Sequence, residues 1–517
     1  MNGYNLWCII FTCFGAFFYG YDSGLTTSII AYPEFIEYYG FNSVTLGALG
    51  SSYYAGQTIG SLANFWIPDR FGRLWSVRFA CVIGLLGCGM QTGAQGLGVL
   101  LAGRAIGGFS CGLIFALCPL YASEMSPPHV RGRVGGLYRQ LSVNVNVSYA
   151  ITEWMGLGIS YLSGDVKFRV FLGLQLLVAV LMLVGSIWMP ESPRWLAAHG
   201  RPDEALAILK RLHGTDVHHE PGASNSDKDE PAEAVPFYQR EFNQIESQIQ
   251  LEREQGNYGV WTIFSRPSYR KRLYIALFYY FFQQATGVIP LQNYQTILYS
   301  LLGLTGKMPL ILVGVWGTAG TIVSIIGASL FDKLGRRKSF FISITGVIVG
   351  SVMLVIFWAR FEAGGNTSET LGALAVFSMF VFLCGFGWIM NAFAYTYPPE
   401  ILPTDIRATG MALGFGIKMA WIICLVQVTP IAIESISWKY FLVFIFLDVI
   451  FLLGVYFYFP ETMNTPLEEI ARLFGDDVAV TLDEAGGKGN RNEEPETKDD
   501  VEMLENVRGT TQQETKS

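Results

Sequence analysis

Apolar stretches of about twenty residues recur along the chain, each closed by a short polar segment. That is the length an α-helix needs to cross a bilayer's hydrocarbon. Twelve such helices are expected, over 6–30, 45–67, 75–94, 98–121, 134–156, 169–189, 273–303, 309–331, 339–359, 371–397, 408–432 and 438–459. A polar segment, 190–270, parts them six and six. Inside it, Pro202–Leu212 and Tyr238–Glu254 have apolar residues at helical spacing, which predicts two short helices. Between them, His218–Glu233 is rich in Asp, Glu, Ser, Gly and Pro and is expected to be disordered, as is the tail beyond Phe474. The expected fold is an all-α membrane protein with twelve transmembrane helices in two six-helix halves, 1–189 and 271–459. The central loop, 190–270, and the tail, 460–517, complete the chain.

Composition supports this class. The chain is 51% apolar and only 15% charged, against about a quarter charged in soluble domains. The net charge of −7 reflects acidic residues in the central loop and tail, and gives no sign of a nucleic-acid partner. The eight cysteines all fall in apolar segments, where they read as free thiols rather than a disulfide framework or metal site. The five histidines lie in loops. The first apolar run lacks a small-residue cleavage site and reads as the first span. No metal cluster, nucleophile–base pair, Walker element or Gly-x-Gly-x-x-Gly appears, so neither an enzyme nor an ATP-driven pump is expected, and no cofactor.

Orientation follows from lysine and arginine in the short loops. One set of loops carries Arg70, Arg73, Arg131, Arg133, Lys333, Arg336, Arg337, Lys338 and Arg407; the opposite set carries only Lys167, Arg169, Lys307 and Arg360. The basic set, both termini and the central loop are expected to be cytoplasmic. Asn366-Thr367-Ser368 is then a glycosylation sequon on the outer side, at Asn366.

The charged turns repeat. Asp69-Arg70-Phe71-Gly72-Arg73 returns as Asp332-Lys333-Leu334-Gly335-Arg336-Arg337, 263 positions later. Glu124 precedes Arg131 by seven residues, as Glu400 precedes Arg407. Pro190-Glu191-Ser192 after span six returns as Pro460-Glu461-Thr462 after span twelve. Three motifs repeated in order imply a duplicated bundle, the parallel-repeat layout of a transporter.

The chain also resembles the sugar porter branch of the major facilitator superfamily, in its fungal form, over roughly residues 10–474. The resemblance is carried by Gly20-Tyr21-Asp22, the two charged turns, Gly103-Arg104, Gln140-Leu141, Pro190-Glu191-Ser192-Pro193-Arg194-Trp195-Leu196, Gln283-Gln284 with Gly287, and Pro460-Glu461-Thr462. It implies a secondary transporter, acting as a monomer in the plasma membrane, that moves a small molecule by alternating access. Asp69, Arg73, Glu124, Arg131, Glu191 and Arg194, with Asp332, Arg336, Arg337, Glu400, Arg407 and Glu461, would form a cytoplasmic gate tying the halves together when the cavity faces outward. The alternative is that they only anchor helix ends. Asp22 and Arg104 would form a protonation switch, with the proton as coupling ion, or else a structural pair. Gln140, Gln283, Gln284, Asn293 and Trp388 would face the substrate, since amides pair with hydroxyls and aromatic faces cover a sugar ring. Gly287 marks a break in span seven. Lys418 and Asp448 lie within spans without an assigned role, and Glu153 reads as interfacial, near an outer helix end.

The sequence departs from the family pattern at Ile289, Asn293-Tyr294, Ala420 and Cys424, where amides or a tyrosine pair are replaced. Each unpaired sugar hydroxyl would cost about 1–3 kcal/mol. A sugar, a polyol or a sugar acid, taken up with a proton, is the leading expectation. Export of a less polar metabolite, or a non-transporting nutrient sensor, are the alternatives.

Overall fold

A computed structural model describes residues 3–64, 66–125, 145–213, 236–255, 266–394, 396–462 and 474. Among the described residues all regular structure is helical. The first group comprises α1 (Gly3–Ile29), α2 (Pro33–Tyr39), α3 (Ser43–Ala63), α4 (Ile67–Phe71), α5 (Arg73–Gly93), α6 (Leu97–Met125), α7 (145–159) and α8 (Val166–Gly185). Short helices α9 (Pro193–Ala198), α10 (Pro202–His213) and α11 (Phe237–Gln255) follow. The second group comprises α12 (Pro267–Ala285), α13 (Val288–Leu301), α14 (Met308–Leu334), α15 (Arg336–Ala363), α16 (Glu369–Phe393), α17 (Tyr397–Ile401), α18 (Thr404–Ile436) and α19 (Tyr440–Tyr458). Counting α12–α13 as one broken span, a described helix stands at each of the twelve expected crossings, the fifth, 134–156, being described from residue 145 on. Helices α10 and α11 fall where the central loop was expected to be helical. Gln140, Arg131, the side chain of Asp332, the segment 218–233 and all of the tail beyond 462 except Phe474 lie outside the described residues.

Local chemistry explains where the helices begin and end. Asn42 and Thr45 form a reciprocal capping box that starts α3. Pro33 opens α2, and Gly40, in the left-handed region at φ 62°, ends it. In the first group α3 packs on α6, α5 on α6 and α8, and α1 on α6 and α8. The α3–α6 seam is tight because it is lined by small residues. A Cβ on Gly56 would lie 1.9 Å from the Ala105 carbonyl oxygen, and one on Gly112 2.2 Å from that of Gln57. Within a bilayer, where helix association rests on packing, such close approach holds helices together. In the second group α15 packs on α16 and α19, α14 on α16, and α12 on α18. The groups meet along α3 with α18 and α1 with α13.

Span seven is broken as expected. Gly287 adopts φ 82°, and a Cβ there would lie 2.8 Å from the Phe444 ring. A second interruption follows at Tyr294, whose φ of −115° and ψ of 15° depart from helical values. Its hydroxyl donates to the Val426 carbonyl of α18 at 2.8 Å, which fixes the bend.

Candidate functional site

The repeated motifs assemble two matching charge clusters at one face of the bundle. In the first group, the Glu191 carboxylate accepts from the backbone N–H of Arg73 at 2.9 Å and of Leu74 at 3.1 Å. In the second, Glu461 accepts from Arg336 N–H at 2.8 Å and Arg337 N–H at 2.9 Å. Each carboxylate therefore satisfies orphan donors at a helix N-terminus, where the dipole favours negative charge. Arg73 bridges Asp69 at 2.9 Å and Glu124 at 3.1 Å; Arg336 bridges Glu400 at 2.9 Å. The correspondence reaches the tyrosines: Tyr121 O–H donates to Pro190 O at 2.6 Å and Tyr397 O–H to Pro460 O at 3.2 Å. Each of these ion pairs stays within its own helical group rather than spanning the two. Arg337 donates to the Tyr456 carbonyl at 2.6 Å and Arg407 to the Leu402 carbonyl at 3.3 Å, both to backbone oxygens.

A cavity of about 540 Å³ lies between the groups, within the size range of small-molecule sites. Its inner wall carries Tyr19 and Ser23 of α1, Asn146 and Tyr149 of α7, and Gln284 of α12. From α13 come Gln292 and Asn293, and Asn293 Nδ2 donates to Tyr54 O–H at 3.4 Å. Lys418 of α18 also lines it, its ammonium 5.7 Å from the Phe415 ring centre. The lining runs out to Leu62 and Leu120, which are exposed at the charged face.

The opposite face is shut by hydrogen bonds between the groups. Ser51 Oγ donates to Gln427 Oε1 at 2.7 Å, and Gln427 Nε2 to Val44 O at 3.0 Å. Thr27 donates to Gln292 O at 3.0 Å, and Thr296 to Thr27 O at 3.2 Å. Trp154 Nε1 donates to Thr318 Oγ1 at 2.9 Å. Lower in the bundle, Asn146 Nδ2 donates to Ser324 Oγ at 2.9 Å. The sequon residue Asn366 sits exposed on this shut face, in the loop after α15, with φ 60°.

Asp22 and Arg104 are paired as expected, at 2.7 Å, with both side chains about 1% exposed. Arg104 also bonds Thr26 Oγ1, and the Tyr53 ring lies 4.7 Å from its guanidinium. The pair sits behind the cavity wall rather than on it.

Three expectations need correction. Gln283 does not line the cavity: it is fully buried, and its Nε2 donates to the Met390 carbonyl of α16 at 3.0 Å. Trp388 is not among the lining residues either; its backbone packs closely on α14, where a Cβ on Gly327 would lie 1.6 Å from its carbonyl oxygen. Glu153 is not interfacial. It is 0% exposed and accepts from Gln295 Nε2 of α13 at 3.3 Å, bridging the groups. Sequence reasoning missed Asn146, Gln292 and Lys418. Lys418 carried a signal, as a charge inside an apolar span.

Two groups of membrane-length helices around a central cavity, shut at one face and reaching charged residues at the other, define a membrane transporter with the major facilitator fold. The chain belongs to the sugar (and other) transporter family, whose model matches residues 7–474. It is 28% identical to a high-affinity glucose transporter of Kluyveromyces lactis, over 92% of this chain and 86% of that one. It is 26% identical to a quinate permease of Neurospora africana, over 90% of this chain and 88% of that one. The fold also matches a solved structure of the proton:xylose symporter XylE bound to 6-bromo-6-deoxy-D-glucose. The TM-score is 0.67 at 20% identity, over 91% of this chain and 99% of that one.

Proposed function

We propose that the protein carries a polyhydroxylated small molecule, a sugar, polyol or sugar acid, across the bilayer by alternating access, coupled to a proton. The observation that carries this reading is the amide-lined cavity between two helical groups, sealed at one face by hydrogen bonds that cross between them. Such bonds contribute only about 0.5–1.5 kcal/mol each. The closed face can therefore open when the two bodies, 1–189 and 271–459, rock against each other.

The charged face is the cytoplasmic one by the basic-residue rule, so the state seen is inward-facing and both termini are cytoplasmic. In the outward-facing state the two charge clusters would approach and clamp the groups beneath the substrate. Gln284, Asn293, Gln292 and Asn146 supply donors and acceptors for hydroxyl groups, with Gln140 of span five as a further candidate. Asp22 takes up the proton when its contact with Arg104 loosens. The relatives' names, a glucose transporter and a quinate permease, and the symporter with the same fold agree with this range of substrates.

A second reading, export of a less polar metabolite, draws on the apolar wall formed by Ile289, Phe415, Met419 and Ile422. Purified protein in liposomes, with and without an inward proton gradient, separates the two. The expected result is gradient-driven accumulation of at least one labelled sugar, polyol or sugar acid. Movement of lipophilic compounds alone would overturn the leading reading.

A further inference from the structure

We infer that Lys418 binds an acidic group of the substrate, so that the solute carried is a polyhydroxylated acid. This rests on the transport reading above and narrows it.

Lys418 lies fourteen residues into α18. At about 1.5 Å per residue that is roughly 20 Å along the helix, too deep for the side chain to reach the membrane surface. It lines the central cavity, and among the described lining residues there is no acidic side chain. The nearby carboxylates are engaged elsewhere or lie off the cavity. Asp22 is held by Arg104, Glu153 receives Gln295, and Asp448 sits on α19 away from the lining. On its own helix the ammonium faces Phe415, with Met411 and Met419 also on the wall.

The placement matters for the transport cycle. With the cavity open, water solvates the ammonium. Once the cavity occludes, that water is lost, and a lone charge in a low-dielectric interior is strongly disfavoured. A neutral sugar would leave it so. A carboxylate brings the missing countercharge in a charge-assisted hydrogen bond, while its hydroxyl groups meet Gln284, Asn293 and Asn146. Occlusion then becomes favourable only with the acid bound. Differential stabilisation of this kind is what lets a ligand drive a conformational step. It also gives a reason for the missing family amides at Ala420 and Cys424: part of the recognition has passed to a cation on the same helix.

The test is uptake by the full-length protein in liposomes, at a fixed proton gradient, of labelled quinate and D-gluconate against D-glucose and myo-inositol. The acids are expected to show KM values roughly 10- to 100-fold below those of the neutral solutes, the range of a hydrogen bond to a charged group. Lys418→Gln should raise KM for the acids about tenfold or more, and by more than it does for the neutral solutes, whereas Lys418→Arg keeps most of the acid preference. Thermal unfolding of the unaltered protein needs no variant: quinate should raise the melting temperature and D-glucose should not. Preference for the neutral solutes, or acid uptake indifferent to Lys418→Gln, would overturn this inference and leave the transport reading standing. Uptake of none of the four would overturn that reading and this inference with it.

Discussion

Arg104 and Asp22 meet at 2.7 Å in a place with almost no solvent, each side chain about 1% exposed. A buried pair of this kind gives weak net stabilisation while intact, but loss of one partner strands the other at a cost of about 3–5 kcal/mol. Arg104→Leu should therefore lower the melting temperature sharply. Asp22→Asn keeps a hydrogen-bond acceptor for Arg104 and should be milder. Its effect on transport should be the larger one: proton-driven accumulation lost, while exchange of labelled for unlabelled substrate at equal pH persists. Accumulation by Asp22→Asn at the normal level would remove the proton from Asp22.

The charged turns make a second prediction. Gly72 has φ 101°, and a Cβ there would lie 2.6 Å from Glu191 Oε2. Gly335 repeats the backbone at φ 83°. Alanine at either position meets a strained conformation of about 1–3 kcal/mol, and at Gly72 it also pushes the carboxylate off the N-terminus of α5. Gly89, near the C-terminal end of α5 with no heavy atom within 4 Å of its Cβ position, is the control. Gly72→Ala should lower the melting temperature in detergent, and Gly89→Ala should leave it level or raise it. Equal shifts would count against a special role for the turn.

Much of this architecture was legible beforehand, because a bilayer imposes strong rules on a sequence. Length and apolarity set the spans, and paired motifs such as Glu191 and Glu461 announced the repeat. Gly287 could be placed because a buried positive φ leaves glycine as the natural choice. What stayed hidden was direction. Gln283 and Gln284 are neighbours in sequence, yet a step of about 100° around the helix points one at Met390 and the other into the cavity. Glu153 seemed near a helix end until α13 and α14 were seen to cover it. Linear sequence says that a polar group sits in a span, but not which neighbour receives it.

Glu34 and Lys167 offer a pH readout on the face away from the charge clusters. The Lys167 ammonium lies 2.6 Å from Glu34 Oε1, and its hydrogen bond holds the Glu34 carboxyl below the usual carboxylate range. A folded-state value depressed below the unfolded one contributes stability above the unfolded value, and that contribution is lost as pH falls through the folded one. The Glu34 side chain is 38% exposed, so solvent screening limits the pair to about 0.2–1 kcal/mol. At neutral pH, Glu34→Gln should unfold slightly below the unaltered protein, and the two should converge in acid. A gap that persists undiminished at pH 3 would place its origin elsewhere.

Gln427 joins the two groups twice at the shut face, accepting from Ser51 and donating to Val44. Removing its amide deletes two bonds of about 0.5–1.5 kcal/mol each, both made in the state seen here. The balance between this form and one open at the shut face should then shift by roughly 5- to 160-fold towards the open one. Spin labels at Tyr38 and Ile436, both exposed at this face, would report the shift once the exposed Cys384 and Cys424 are replaced. The unaltered protein should give one short distance, and Gln427→Ala should add a longer one. Substrate added from this face should also show a lower KM in the variant, because more of the protein is open to receive it. An unchanged distance distribution would mean that closure rests on contacts other than these two.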